Sequence, residues 1–216
     1  MINKKLIVAR YNENISWTRQ VDFADVIIYN KGADEIPGAI LLPNVGRESG
    51  TYLRFIIDNY DSLEKDDLYF FLQGSPFEHY MSFEDLKGCN GPQYFGRKFI
   101  EVSEGITSPY FPIGFPGKKF CDMFFLENPF PSENQYVPVI YGANFCASGE
   151  MIKKRCKEFY QFLDIYAQTL NPIEGHIMER IWVYILFTDI KDKITEYSKS
   201  RKAFTRNATW GGMKID

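Results

Sequence analysis

Two polar loops between Asn44 and His79 carry the residues best suited to chemistry, and a predicted helix and a predicted strand lie between them. Arg47 directly precedes the helix, whose apolar side chains recur at the spacing of one helix face: Leu53, Ile56, Ile57 and Tyr60. A cationic Arg beside the free amides of a helix N-terminus can hold a phosphate. A solvated or salt-bridged surface residue is the alternative interpretation of Arg47.

The second loop follows the apolar run Leu68–Leu72, which predicts a buried strand. The strand ends at the turn sequence Gln73-Gly74-Ser75-Pro76, with Glu78 and His79 beyond it. Polar residues just past a buried strand lie where open α/β sheets bind ligands. The sequence therefore predicts an anion site and a strand-end site close together.

Two earlier apolar runs also end in polar clusters, at positions where α/β folds commonly hold a nucleotide. The polar residues that follow the predicted strands Leu6–Ala9 and Ala24–Tyr29 are Arg10, Tyr11, Asn12, Asn30 and Lys31. A loop with a solvated Arg and Glu is the alternative interpretation of the first cluster.

A predicted helix at Ile173–Phe187 carries the best candidates for acid–base chemistry. His176 and Glu179 are three residues apart and so share a helix face. Glu179 is a candidate general base towards a hydroxyl, with His176 as its closest rival. A helix salt-bridge network that includes Arg180 is the structural alternative.

The elements that must position these residues alternate between strand and helix. This alternation predicts an α/β domain with a mostly parallel sheet and helices on both faces. A strand is predicted at Val137–Tyr141, at a sheet edge because of Pro138, and an amphipathic helix at Met151–Leu170 with Cys156 on its apolar face. Between Glu78 and Asn134 only Ser82–Lys87 reads as helix. We expect the rest of that stretch to be an irregular substrate wall or lid, or a Phe-packed insertion.

Composition excludes several classes of function. The chain has 216 residues, 45% of them apolar, and a net charge of −3, which disfavours a nucleic-acid partner. No signal peptide and no membrane-spanning segment are predicted, so we expect a cytoplasmic protein. Four cysteines without C-x-x-C spacing are expected to be reduced, mostly buried thiols, and a disulfide pair stays open.

Familiar catalytic motifs are absent from the sequence. It contains no P-loop, no dinucleotide fingerprint, no nucleophile elbow and no zinc-ligand spacing around its two histidines. A phosphodiesterase or nuclease would need a cluster of carboxylates around a metal, which the sequence does not offer.

Six segments, in the same order along the chain, carry a resemblance to a known family: VARYNENISW (8–17), ADVIIYNKG (24–32), LPNVGRESGTYLRFIIDNYD (42–61), FFLQGSPFEH (70–79), YGANFCAS (141–148) and PIEGHIMERIW (172–182). The chain resembles a family of proteins from bacteria, fungi and large viruses that is itself similar to glycosyltransferases of the GT-A type. The resemblance implies one GT-A-like domain over residues 1–190. Residues 191–216 form a tail rich in basic residues, which we expect to be packed on that domain or, alternatively, solvated.

The resemblance also implies a function in polysaccharide biosynthesis: transfer of a sugar from a nucleotide-sugar donor to a hydroxyl of a glycan or glycoconjugate. The residues implied to bind the donor nucleotide are Arg10, Tyr11, Asn12, Asn30, Lys31, Arg47 and Gln73. Asn144 and Phe145 would shape the acceptor or donor-sugar pocket. Glu179 would be the base, with His176 as the alternative.

The sequence departs from the GT-A pattern after the central strand. Such enzymes commonly hold the diphosphate through a metal on an Asp-x-Asp motif, and this chain has Gln73-Gly74-Ser75 there. If Mn²⁺ or Mg²⁺ is used, Glu78 and His79 are the candidate ligands. The alternative function is a non-catalytic carbohydrate-binding or interaction protein on the same fold.

Overall fold

The computed structural model describes residues 2–78, 81–95, 97–102, 135–168 and 172–187. Its strands, in chain order, are β1 (Lys4–Arg10), β2 (Asp25–Asn30), β3 (Ile40–Leu41), β4 (Leu68–Gln73), β5 (Gln93–Tyr94), β6 (Arg97–Val102), β7 (Gln135–Ile140) and β8 (Phe145–Ser148). Its α-helices are α1 (Arg47–Asn59), α2 (Phe83–Gly88), α3 (Gly149–Lys153), α4 (Lys157–Ala167) and α5 (Pro172–Leu186). Short 3-10 turns cover Ser16–Gln20, Tyr60–Ser62, Pro76–Glu78 and Tyr141–Ala143.

Six strands form one sheet in the order β3-β2-β1-β4-β8-β5, and β6 pairs with β7 in a separate two-stranded ribbon. Strand β1 runs parallel to both of its neighbours, with Ala9 opposite Tyr29 of β2 and Gln73 of β4. Strand β8 runs antiparallel to β4 and β5, so the sheet is mixed. The predicted α/β class is confirmed, and the arrangement is consistent with a Rossmann-like fold.

The central strands are buried on both faces because their apolar runs are continuous. On one face, the rings of Phe71 and Phe145 pack with Tyr52 of α1 and Trp182 of α5, at centroid distances of 4.9–6.2 Å. On the other face, Leu6, Val8, Phe70 and Leu72 join a cluster with residues of the first 3-10 turn, of α2 and of the positions that flank α2: Trp17, Met81, Leu86 and Cys89. Helical segments therefore cover both faces of the sheet.

The predicted strands at the start of the chain and the helix at Ile173–Phe187 are confirmed as β1, β2, β4 and α5. The predicted helix at Ser82–Lys87 is confirmed as α2, with Ser82 as its cap in a reciprocal capping box with Asp85. The predicted strand at Val137–Tyr141 corresponds to β7. The short strands β5, β6 and β8 were not predicted.

One continuous helix over Met151–Leu170 is a wrong prediction. Helix α3 ends at Lys153 and α4 begins at Lys157, with Cys156 between them in extended backbone and exposed. Two tyrosine hydroxyls stabilise the break by donating to carbonyls beside it: Tyr160 to the Ile152 oxygen at 2.8 Å, and Tyr60 to the Arg155 oxygen at 2.6 Å. These bonds satisfy carbonyls that a continuous helix would otherwise use.

Contacts divide the chain into two units. The first comprises residues 1–98 and 139–187 and contains the six-stranded sheet. The second comprises residues 99–138 and 188–216, and its described part is most of the β6–β7 ribbon. The tail predicted at residues 191–216 and most of the predicted wall or lid lie outside the described residues. None of the helices in the described part of the chain combines the length and the hydropathy that a bilayer crossing requires.

The aromatic cluster on the α1 face gives a direct test of this packing. Phe71 is completely buried, whereas Phe162 on α4 is 51% exposed. We expect Phe71→Ala to lower the free energy of unfolding by about 3–5 kcal/mol, because it leaves a cavity in the core. Phe162→Ala, the matched control, should cost less than about 1 kcal/mol. Urea unfolding measures both, and equal effects of the two variants would contradict the packing.

Candidate functional site

The carboxyl ends of β1 and β4 flank the point where the strand order reverses. The chain runs outwards from β1 through β2 to β3 and then returns to β4 on the other side of β1. Open α/β sheets bind ligands in the crevice at such a switch point. We call the loops after β1, β2 and β4, together with Glu48, Tyr52, Asn144 and Glu179, the switch-point site. The loops after β1, β2 and β4, which carry most of the predicted nucleotide-binding residues, all lie at this edge of the sheet.

A single glycine allows the loops after β1 and β4 to touch. A Cβ on Gly74 would lie 2.7 Å from the Oε2 atom of Glu13, so the Glu13 side chain occupies the space that another residue would fill. The Trp17 indole Nε1–H donates to the Gly74 carbonyl at 2.8 Å. Glu13 also accepts the Tyr11 amide at 2.6 Å. Contact between the two loops therefore fixes a carboxylate at the switch point.

Arg10 organises the loop rather than pointing to solvent. Its side chain is only 6% exposed and makes a bidentate pair with Asp34, at 2.9 and 2.6 Å. It also donates to the Glu13 and Tyr11 carbonyls and to the Asn30 amide oxygen, at 2.9, 3.1 and 2.7 Å. All three guanidinium nitrogens thus have protein acceptors. The solvated-Arg alternative is wrong, and any effect of Arg10 on a ligand would act through the loop that it shapes.

The two residues predicted after β2 are also held by the protein. Asn30 is 1% exposed and donates to the Asp34 carbonyl at 2.6 Å. The Lys31 ammonium donates to the carbonyls of Val45 and Arg47, which precede and begin α1. Burial lowers the pKa of Lys31 to about 8. These contacts fix the loop that leads into α1, while Tyr11 and Asn12 stay exposed on the rim.

Strained backbone occurs twice at this end of the sheet. Gly46 and Arg47 have φ angles of 66° and 47° at the start of α1, and Gly142 and Ala143 have 70° and 50° just before β8. Side-chain-bearing residues rarely adopt this left-handed region, and such strain clusters at functional sites. The Arg47 side chain is 48% exposed, with its Nε 3.6 Å from the Glu48 carboxylate.

Glu48 and Glu179 form a pair of like charges at the switch-point site. Glu48 lies in the first turn of α1 with its side chain 11% exposed. Burial raises the pKa of the Glu48 carboxyl, and the negative charge of Glu179 raises it further. Glu179, on α5, accepts the amide of Gly142 at 2.6 Å. The two carboxylates therefore come from distant parts of the chain, and their environments differ.

Two buried polar groups lie beside this pair. Burial raises the pKa of Tyr52 well above its ordinary value, and so do the charges of Glu48, Glu179 and Glu13. The Tyr52 hydroxyl and the Asn144 Nδ2 are completely buried and have no hydrogen-bond partner among the described residues. The Asn144 Oδ1 accepts the Gln73 amide at 2.9 Å. Unsatisfied buried donors are costly, and such groups are frequent at functional sites.

The remaining predicted site residues are less central or lie outside the described part. Phe145 is completely buried in the aromatic cluster and belongs to the core. Glu78 ends the third 3-10 turn and is exposed. His79 and the side chain of His176 lie outside the described residues. Within the described ranges, no group of three or more His, Cys, Asp or Glu side chains is placed to hold a metal ion.

Sequence reasoning missed Glu13, Glu48 and Tyr52 as site residues. Glu48 and Tyr52 were not singled out because their neighbours in the candidate site are far away along the chain. The signal that could have found Glu48 was an acidic residue directly after Gly46-Arg47, on the turn that leads into a buried helix.

A comparison with protein-family models finds one match, over residues 6–85, to the family described as "Protein of unknown function (DUF3431)". The match runs from β1 into α2 and includes Glu13, Glu48, Tyr52 and Gln73, but not Asn144 or Glu179. No curated protein and no solved structure matches the chain. The description of the family names no activity.

The raised pKa of Glu48 predicts a specific pH dependence of stability. The folded state holds the Glu48 proton more tightly than the unfolded state, so protonation of Glu48 stabilises the fold. This contribution is complete at pH values below the pKa of Glu48 in the unfolded chain, and it is lost as pH rises through the pKa in the folded chain. Glu48→Gln removes this loss. The variant should therefore be as stable as the natural chain at about pH 4 and more stable than it at neutral pH. A gain of about 1 kcal/mol would raise Tm by about 2–4 °C.

Thermal unfolding between acid and neutral pH measures the difference. Glu35→Gln, which replaces an exposed carboxylate in the loop after β2, is the matched control and should leave the pH profile unchanged. A Glu48→Gln variant that is less stable than the natural chain at neutral pH would contradict the burial and repulsion assigned to Glu48.

Proposed function

We propose that the chain is a glycosyltransferase that moves a sugar from a nucleotide-sugar donor to a hydroxyl of a glycan or glycoconjugate. The observation that carries the proposal is the Glu48–Glu179 pair, held at the switch point of a sheet whose first four strands have the order β3-β2-β1-β4. Nucleotide-binding sheets share this order and bind their ligand at this point. The GT-A resemblance of the sequence supports the same crevice.

The nucleotide would lie against the rim formed by the loops after β1 and β4. Tyr11 and Asn12 are exposed there, and Gln73 ends β4. Arg47, with its half-exposed guanidinium at the start of α1, is the best candidate for a phosphate contact. Arg10, Asn30 and Lys31 would act by holding these loops in shape, since each makes several hydrogen bonds within the chain.

The sugar and its acceptor would form hydrogen bonds with the polar groups next to this rim. Sugar hydroxyls donate hydrogen bonds that carboxylates accept, and Glu13, Glu48 and Glu179 all act on the same buried Tyr52. Transfer to a hydroxyl needs a group that takes its proton as the new bond forms. The Glu48–Glu179 pair would supply that base: Glu179 is oriented by the Gly142 amide, and the raised pKa makes Glu48 the stronger proton acceptor.

A divalent cation is not built into this mechanism. The described carboxylates do not form a metal-binding group, and Gln73-Gly74-Ser75 stands where GT-A enzymes commonly carry their acidic pair. Dependence on a cation, with Glu78 and His79 as ligands, stays a prediction.

The missing acidic pair is also the observation that favours a second candidate, a non-catalytic carbohydrate-binding protein. Carboxylates and buried amide donors at the switch-point site would serve recognition of a glycan as well as chemistry. The two candidates differ in one property, because only the transferase needs to bind a nucleoside diphosphate and release it.

Release of the nucleoside diphosphate from a panel of UDP-, GDP- and CDP-sugars, with glycan acceptors and with or without Mn²⁺, tests the transferase directly. We expect one donor to be turned over. Glu48→Gln and Glu179→Gln should each lower kcat by about 10²–10⁴-fold while the protein stays folded, because each removes part of the general base. Glu35→Gln is the matched control and should keep full activity.

Turnover that is unchanged in both variants would remove the pair from the mechanism. No turnover of any donor by the natural chain, together with binding of a glycan, would replace the transferase with the carbohydrate-binding candidate. Circular dichroism of each variant separates a loss of activity from a loss of folding.

A further inference from the structure

Two buried cysteines lie against each other outside the switch-point site. Cys89 follows the last residue of α2 and is 2% exposed, and Cys146 lies in β8 and is completely buried. The two cysteines share one buried cluster, each thiol lies close enough to shift the pKa of the other, and both are free.

Local structure holds the two sulfur atoms together. Gln93 of β5 pairs with Cys146 across the antiparallel β5–β8 ladder. Because only a short link joins Cys89 to Gln93, this pairing keeps Cys89 near Cys146. Within that link the Cys89 thiol donates to the Gly91 carbonyl at 3.1 Å. Both cysteines belong to the apolar cluster built around Leu6, Phe70 and Leu86. The contact is therefore a fixed feature of the core.

We propose that Cys89 and Cys146 form a site of reversible disulfide oxidation, with hydrogen peroxide as the oxidant and a small thiol as the reductant. The proposal is independent of the glycosyltransferase function. Peroxide is about the size of water, which suits a sulfur atom with so little exposed surface.

The environments of the two thiols differ, and the difference determines which of them reacts first with peroxide. The hydrogen bond with Cys146 lowers the pKa of the Cys89 thiol to about 7 against the opposing effect of burial. The Lys4 ammonium, held at the Cys89 carbonyl at 2.9 Å, adds to this lowering. The same hydrogen bond raises the pKa of Cys146, and so does burial. Since the thiolate is the nucleophile, Cys89 attacks first and Cys146 resolves.

The atoms and electrons of the reaction balance. The Cys89 thiolate attacks one oxygen of H₂O₂, which gives Cys89 sulfenic acid and hydroxide. Cys146 then attacks the sulfenic sulfur, the S–S bond forms, and the sulfenic oxygen leaves as water once it has taken a proton. The two sulfurs lose two electrons and peroxide is reduced to two waters. Two equivalents of a small thiol reverse the oxidation by exchange.

Oxidation would change how the edge of the sheet is held. The bond would tie the end of α2 and the edge strand β5 to β8, which begins directly after Asn144 of the switch-point site. It would also close the long stretch of chain between residues 89 and 146, and cross-links across long loops stabilise by restricting the unfolded chain.

The experiment uses the full chain with Cys121→Ser and Cys156→Ser, so that only the pair remains. The protein is exposed to increasing peroxide, unfolded, alkylated with N-ethylmaleimide and weighed by intact mass spectrometry. A peptide map then locates the modified sulfurs. Cys89→Ala and Cys146→Ala in the same background are the matched controls, and the natural chain, with its exposed Cys156, provides an internal measure of oxidation.

We expect the pair to lose both alkylation sites together, with a mass lower by two hydrogens, a cross-linked peptide joining residues 89 and 146, and a Tm higher by at least about 5 °C. A small thiol should reverse all four changes. The single variants should instead accept oxygen or stay unmodified. Two contrary results would overturn the proposal: both thiols still alkylated after Cys156 of the natural chain is oxidised, or Cys89 oxidised to sulfinic acid while Cys146 stays free.

Discussion

The close contact between the loops after β1 and β4 is the constraint on which the rest of the site depends. Because β1 and β4 are neighbouring parallel strands with Ala9 opposite Gln73, their loops leave the sheet at the same level. The Glu13 side chain fills the space beside Gly74, and the Trp17 indole holds the Gly74 carbonyl. This contact fixes one carboxylate at the switch point. Helices α1 and α5 then bring Glu48 and Glu179 towards the same buried tyrosine.

Several features at this end of the molecule lower the stability of the fold, and packing in the core compensates for them. Glu48 is buried near a like charge, the Tyr52 hydroxyl and the Asn144 amide lack partners among the described residues, and two left-handed backbone pairs flank the site. Each of these features is unfavourable for folding, and their concentration at a switch point is typical of sites kept for function. Burial of the aromatic cluster of Tyr52, Phe71, Phe145 and Trp182 offers compensating stability. The glycosyltransferase proposal follows from this combination of nucleotide-type topology and paired carboxylates.

The sequence predicted what depends on local pattern and missed what depends on tertiary contact. Continuous apolar runs identified β1, β2 and β4, and helical spacing identified α5. The break between α3 and α4 escaped because the apolar pattern continues through it. The hydroxyls of the distant Tyr60 and the nearby Tyr160, which donate to carbonyls there, are not visible in that pattern. Strand β8 is four residues long and gave too short a signal. Strand-end position correctly placed Arg10, Asn30 and Gln73 at one edge of the sheet, and their roles as site residues stay predictions. Glu48 could not be recognised in this way, because its neighbour Glu179 lies far along the chain.

The most direct test of the account is calorimetric titration of the natural chain and two glycine variants with UDP, GDP and CDP. Gly74→Ala would place a Cβ 2.7 Å from the Glu13 carboxylate, whereas a Cβ on Gly91 meets open space, so Gly91→Ala is the control. The account predicts that one nucleotide binds the natural chain and Gly91→Ala equally, and that Gly74→Ala binds it at least about tenfold more weakly, a loss of about 1.4 kcal/mol. Equal binding by all three proteins, or binding of no nucleotide by the natural chain, would contradict a nucleotide site at this switch point.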